Sequence, residues 1–155
     1  MEHFQSRFDF SGKTALVTGA SAGIGEAVAV ALAQSGAKVF AMARRVDRLQ
    51  ELAQKHANIV AVAGDVTGDL ASLDQMFKSS NLDILVNNAG IYPPSPIAQM
   101  TLDQFEKVIQ VNLRSVFLMT KYAAAAMKKR GGGRIINVTS IDALHPSMIG
   151  LAHYD

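Results

Sequence analysis

Thr18-Gly19-Ala20-Ser21-Ala22-Gly23-Ile24-Gly25 follows an apolar run, Ala15-Leu16-Val17, and opens an alanine-rich segment with helical spacing. Three glycines between a buried strand and a helix start leave bare backbone. Glycine tolerates the tight turn, and the missing side chains let a diphosphate approach the amides at the helix N-terminus. The principal rival, a nucleoside-triphosphate loop, closes on Gly-Lys-Ser/Thr. Here Gly25 is followed by Glu26 and Ala27, so that rival fails.

Outward from this loop, apolar runs alternate with amphipathic segments along the chain, the pattern of βαβ units around a parallel sheet. Strands are expected at Thr14–Thr18, Lys38–Ala43, Ile59–Ala63, Ile84–Asn87 and Arg134–Val138. Most are nearly continuous Val, Ile, Leu and Ala, as strands covered on both faces require. Helices are expected at Ile24–Ser35, Val46–His56, Leu70–Ser79 and Leu102–Arg130. The first ends at Gly36, a C′ glycine. The last opens on the capping box Thr101-Leu102-Asp103-Gln104, ends in Lys128, Lys129 and Arg130, and is stopped by Gly131-Gly132-Gly133. Phe105, Ile109, Val116 and Phe117 mark its expected apolar stripe, with polar Asn112 on the same face. The fold class is α/β: a Rossmann-like, doubly wound parallel sheet with expected strand order 3-2-1-4-5 and its cofactor crevice where strands 1 and 4 diverge. Residues 1–155 read as a single dinucleotide-binding domain.

The second strand bears on which dinucleotide. An NAD site offers a carboxylate near its end for the ribose 2′-hydroxyl. This chain offers Ala43, Arg44 and Arg45, with no carboxylate until Asp47. Paired guanidinium groups suit a 2′-phosphate, which favours NADP(H) over NAD(H). A solvated arginine pair at a helix start is the alternative.

Composition narrows the class further. The 155 residues are 49% hydrophobic and 18% charged, an ordinary globular balance able to build a real core. A net charge of +2 gives no ground for a nucleic-acid or membrane partner. With no cysteine there is neither a disulfide framework nor a thiolate metal site, which suits a cytoplasmic setting. No metal site is expected.

With Asn87-Asn88-Ala89-Gly90 at the end of the fourth strand, Ser140 after the fifth, and Tyr154 fourteen residues later, the chain resembles the short-chain dehydrogenase/reductase family. The resemblance implies an oxidoreductase moving hydride between a nicotinamide cofactor and a carbonyl or alcohol. It implies cofactor contacts from Gly19, Ser21, Gly23, Ile24, Gly25, Asp65, Val66, Asn87, Ala89 and Gly90, with Arg44 and Arg45 at the 2′-position. It gives Asn88 a structural role. It implies Tyr154 as general acid–base, Ser140 on the substrate oxygen and Asn112 holding a water in the proton relay. A phenol can serve if its pKa, ~10 when unperturbed, is drawn toward neutrality. Ser140 as a turn residue and Asn112 as a packing residue are the bland alternatives, and Asp142, His145 and His153 stay ambiguous.

The family's tyrosine belongs to Tyr-x-x-x-Lys, and here Tyr154 is followed by Asp155 alone. The expectation is therefore a C-terminally incomplete domain, inactive by itself, from a protein that forms homodimers or homotetramers at full length. A non-catalytic dinucleotide-binding module is the alternative function. The Ile91–Pro96 loop and the Ile141–Ala152 segment are expected to line the substrate pocket.

Overall fold

A strand covered on both faces must be apolar at every position, and Leu16, Val17, Leu85 and Val86 show it: each is 2% exposed or less. The computed structural model describes residues 8–68, 74–77, 81–143, 150 and 153–154. Within them run β1 (Thr14–Thr18), α1 (Gly23–Gln34), β2 (Lys38–Ala43), α2 (Val46–Lys55), β3 (Ile59–Ala63) and β4 (Ile84–Asn87). Then come α3 (Leu102–Ile109), a π-helical turn (Gln110–Arg114), α4 (Ser115–Lys128), β5 (Arg134–Asn137) and a 3₁₀ turn, Ile141–Ala143. All strand pairs are parallel, in the order β3-β2-β1-β4-β5.

Period-two alternation divides the core between the two sides of the sheet. Ala15, Val17, Val39, Ala41 and Val86 pack with Ala29, Ala33, Leu49 and Leu52 of α1 and α2. Leu16, Met42 and Leu85 pack against Phe77, Met119, Ala123 and Met127 on the opposite face. Each buried Val or Leu contributes about 1.5–3 kcal/mol relative to exposure. Helices thus cover both faces, as a doubly wound fold requires.

The ends of α1 obey the expected chemistry. Gly36 takes φ +94°, and the Ala37 amide donates to the Leu32 carbonyl (3.0 Å), closing the helix. The expected fifth strand, Arg134–Val138, ends one residue earlier, although the Val138 amide still donates to the Asn87 carbonyl at 2.9 Å. Of the helix expected at Leu70–Ser79, residues 74–77 are helical and the remainder lies outside the described residues.

The long helix expected at Leu102–Arg130 needs correction. Its capping box forms: the Gln104 amide donates to Thr101 Oγ1 (3.2 Å) and the Thr101 amide to Gln104 Oε1 (2.9 Å). The π turn then interrupts it and rotates α4 relative to α3. The buried face is Val108, Ser115, Met119, Ala123 and Met127, whereas Phe105 and Phe117 are 42% and 62% exposed. Of the expected stripe, Phe105 and Phe117 are thus exposed while Ile109 and Val116 are half-buried. No helix among the described residues is long and apolar enough to cross a membrane.

Candidate functional site

Strand β1 pairs with β2 on one side and β4 on the other, so the chain leaves β1 and β4 in opposite directions and opens a crevice at their carboxyl ends. Thr18, 1% exposed, ties the two ends together. Its Oγ1 accepts from the amides of Asn88 and Ala89, each at 3.0 Å, and donates to the Val86 carbonyl at 3.3 Å. Asn88 answers from the other side: its Nδ2 donates to the carbonyls of Thr18 (3.0 Å) and Gly19 (3.4 Å).

This close joint explains the glycines. Gly19 sits at φ +67°, and a Cβ there would lie 2.9 Å from both Ala89 Cα and Asn88 Nδ2. A Cβ on Gly25 would lie 2.5 Å from the Gly19 carbonyl oxygen. Gly23, at φ +61°, faces open space. Helix α1 begins here with Ala22 as N-cap and no side-chain hydrogen bond to its first-turn amides. Those donors and the positive end of the helix dipole are thus left for an anion. A diphosphate fits this loop, and the surrounding cleft, about 720 Å³, has room for a dinucleotide.

The cleft is walled by the glycine loop, by Met42–Arg45 at and beyond the end of β2, by Gly64–Val66 after β3, and by Asn88–Tyr92 after β4. Arg45 reaches back over the loop: its Nε and Nη2 donate to Ser21 Oγ at 3.2 and 3.0 Å. Asp65 Oδ1 accepts from the amide (2.9 Å) and hydroxyl (2.7 Å) of Thr67. The Thr67 amide holds the Asp65 carboxyl below its ordinary pKa against the opposing effect of burial, and the charge of Arg44 adds to the lowering.

The rim opposite the arginines is built around Asn112, which lies in the π turn. Such turns often occur at functional sites. Its Oδ1 accepts from the Ile91 amide (2.9 Å) and its Nδ2 donates to the Ile91 carbonyl (2.8 Å). Asn112 therefore fixes the backbone of a residue that lines the cleft. Ser140, just beyond β5, donates to Asp142 Oδ2 and accepts from the Asp142 amide, both at 3.2 Å. The Tyr154 ring meets that of Tyr92, a cleft residue, with centroids 6.0 Å apart and planes tilted by 54°.

Most of the residues singled out from the sequence meet in one place. Gly19, Ser21, Gly23, Ile24, Arg44, Arg45, Asp65, Val66, Ala89 and Gly90 all line the cleft. Gly25 is buried beneath the loop and does not line it. Asn87 points elsewhere: it is 4% exposed, and its Nδ2 donates to Thr120 Oγ1 (3.1 Å) and Asn137 Oδ1 (2.9 Å). Its neighbour Asn88 lines the cleft instead. Asn112 and Tyr154 join the site through Ile91 and Tyr92, while Ser140 bonds only its own turn among the described residues. His145 and most of the Ile141–Ala152 segment lie outside the described residues. His153 is buried, with no hydrogen-bond partner on either ring nitrogen among the described residues. Met42, Gly64 and Val111 line the cleft without being marked by any motif. Positions at or just beyond strand ends are the available signal for the first two.

The family model for short chain dehydrogenases matches residues 13–155. An uncharacterized oxidoreductase of Thermotoga maritima is 40% identical over 138 residues, covering 85% of this chain and 55% of that protein. A 3-oxoacyl-[acyl-carrier-protein] reductase of Synechocystis sp. is 39% identical over 139 residues, covering 83% of this chain and 56% of its own length. Among solved structures, one assigned as an NAD(P)-dependent gluconate 5-dehydrogenase of Beutenbergia cavernae, with bound NADP, superposes with a TM-score of 0.88. It is 31% identical, and the match covers 96% of this chain and 62% of that one. The chain thus spans about half the length of the curated relatives it matches.

Proposed function

This chain belongs to the short chain dehydrogenase family of oxidoreductases, and from that we propose that it moves hydride between NADP(H) and a small carbonyl or alcohol. The observation that carries the proposal is the cleft itself. It joins a helix start with no side-chain cap, two arginines and the ring of Tyr92, on which Tyr154 rests. The amides of the Gly19–Gly25 loop hold the diphosphate, and Asp65 and Val66 border the adenine. Arg44 and Arg45 face the 2′-phosphate. When bound, the nicotinamide supplies or accepts the hydride.

The chain's own side chains handle the proton. Tyr154 gives its phenolic proton to the substrate oxygen in reduction and takes it back in oxidation. Ser140 holds that oxygen by hydrogen bond, for which its hydroxyl must turn away from Asp142. Asn112 supports the relay through its hold on Ile91. Asn87 supports the site from behind, through Asn137 and Thr120, rather than by direct contact. We place the enzyme in the cytoplasm as a homodimer or homotetramer at full length. The 155 residues span about half the length of the relatives they match, and by themselves they are proposed not to turn over substrate.

The relatives suggest two substrate chemistries, a 3-oxoacyl thioester and a sugar acid. A cofactor-difference titration with a subsequent panel of ketones, sugar acids and 3-oxoacyl thioesters tests the proposal. NADPH binding with turnover of a carbonyl compound, abolished by Tyr154→Phe in the full-length protein, is the expected result. Dinucleotide binding without turnover of any of them would make this a binding module. Failure to bind either dinucleotide would overturn the reading altogether.

A further inference from the structure

Tyr92 is 67% exposed, so its ring is placed not by the core but by the loop that carries it. On one side, Asn112 of the π turn grips both the amide and the carbonyl of the neighbouring Ile91. On the other, the Ser95 hydroxyl donates to Gln104 Oε1 (3.3 Å), the same oxygen that closes the cap of α3. Pro93 and Pro94 between these anchors, and Pro96 just past them, restrict φ and leave the tip few conformations to lose.

The segment that carries Tyr154 touches this loop twice. The Ser95 amide donates to the Gly150 carbonyl at 2.7 Å, and the rings of Tyr92 and Tyr154 meet at 6.0 Å with planes tilted by 54°. Gly150 takes φ +94°, and a Cβ there would lie 3.1 Å from the Ser95 carbonyl carbon and 3.3 Å from the Pro96 nitrogen. Conformation and close approach both call for glycine. The main-chain pin and the ring contact thus hold one short stretch of chain, Gly150 to Tyr154, at its two ends. The spacing and tilt of the rings are those of a favourable aromatic pair. A phenol backed in this way has a narrower arc for its hydroxyl, and a reacting group displaced by about 1 Å loses much of its rate.

We propose that Tyr92 is a positioning residue for Tyr154. Its ring, held out by a loop anchored on the π turn and on the α3 cap, backs the phenol and aims its hydroxyl at the substrate oxygen. The proposal rests on the reading of Tyr154 as proton donor given above.

Steady-state reduction of acetoacetyl-coenzyme A and of 5-ketogluconate by NADPH tests it in the full-length protein, as wild type, Y92F, Y92L, Y92A and Y154F, with ring-13C NMR of the tyrosines. Y92A and Y92L are expected to lower kcat about tenfold, the upper scale of an aromatic pair. KM and NADPH affinity stay within about twofold, because the contact is to Tyr154 and not to either ligand. The melting temperature stays within about 2 °C, as for other exposed positions. Y92F, which keeps the ring, restores most of the lost turnover. Y92L also shifts the Tyr154 ring signals and leaves those of Tyr122, which stacks on Phe77, in place. Y92A and Y92L with the turnover of wild type, or NADPH affinity falling in step with kcat, would overturn the proposal; a Y154F variant without turnover would then leave the reading of Tyr154 standing. Turnover that survives in Y154F, or a wild type that reduces neither compound, would remove both.

Discussion

The joint between β1 and β4 opens on the crevice and the edge at β5 lies on the other side of β4, and the two are held by different means. At the joint, Thr18 is 1% exposed and its hydroxyl alone satisfies two amides of the opposing loop. At the edge, Ile136 is 50% exposed and Val138 39%, and the hydroxyl of Ser140 bonds only within its own turn among the described residues. The side that would hold diphosphate is thus built from main chain locked by buried hydrogen bonds. Beside β5, side chains rather than bare main chain carry the polar groups. A cofactor site of this kind is fixed before ligand arrives.

That contrast can be broken by substitution. The largest effect is expected at Gly19→Ala, where the positive φ and the approach of Ala89 Cα both oppose a Cβ. We expect a loss of about 3 kcal/mol in urea denaturation, the left-handed penalty and overpacking together. Dinucleotide binding goes with it. Thr18→Val comes next, at about 2–3 kcal/mol, because it keeps the shape but orphans the amides of Asn88 and Ala89. Thr18→Ser should recover most of that. Gly23→Ala, with positive φ but open space around it, should cost only about 1–2 kcal/mol. At the edge, Ile136→Thr should stay within about 0.5 kcal/mol, as exposed positions do. A Thr18→Val change as mild as Ile136→Thr would erase the distinction between the two regions.

The smallest effect concerns acid. Thr67 holds the folded Asp65 carboxyl below its ordinary pKa, so the group stabilises the fold above that ordinary value. The contribution fades as pH falls through the lowered value. Asp65→Asn should flatten the acid limb of the stability curve slightly. An identical limb in the variant would mean that the Thr67 contacts do not hold in solution.

How much of this is legible in the sequence depends on the kind of signal. The strands are readable because burial on both faces leaves only apolar residues, and the capping box at Thr101 because its four residues carry their own hydrogen bonds. The π turn is not, since one extra residue per turn has no compositional mark. It also hides which face of the next helix is buried: Phe117 outweighs Met119 and Ala123 in hydrophobicity, yet the small and flexible side chains are the buried ones. The two asparagines at the end of β4 show a second limit. Successive residues on extended chain point to opposite sides, so Asn87 and Asn88 divide the inward and crevice-facing roles. A pair of identical letters cannot say which takes which. The Ser21–Arg45 contact joins segments brought together only by the sheet.

Bare amides around Gly19, Gly23 and the start of α1 are proposed to hold a dinucleotide's diphosphate. Mapping amide NMR shifts during addition of NADPH tests it most directly. The largest shifts are expected at Ser21, Ala22, Gly23 and Ile24, with smaller ones at Arg45 and Ala89. Shifts confined to the opposite end of the sheet, around Thr14, Lys38 and Asp83, would contradict it.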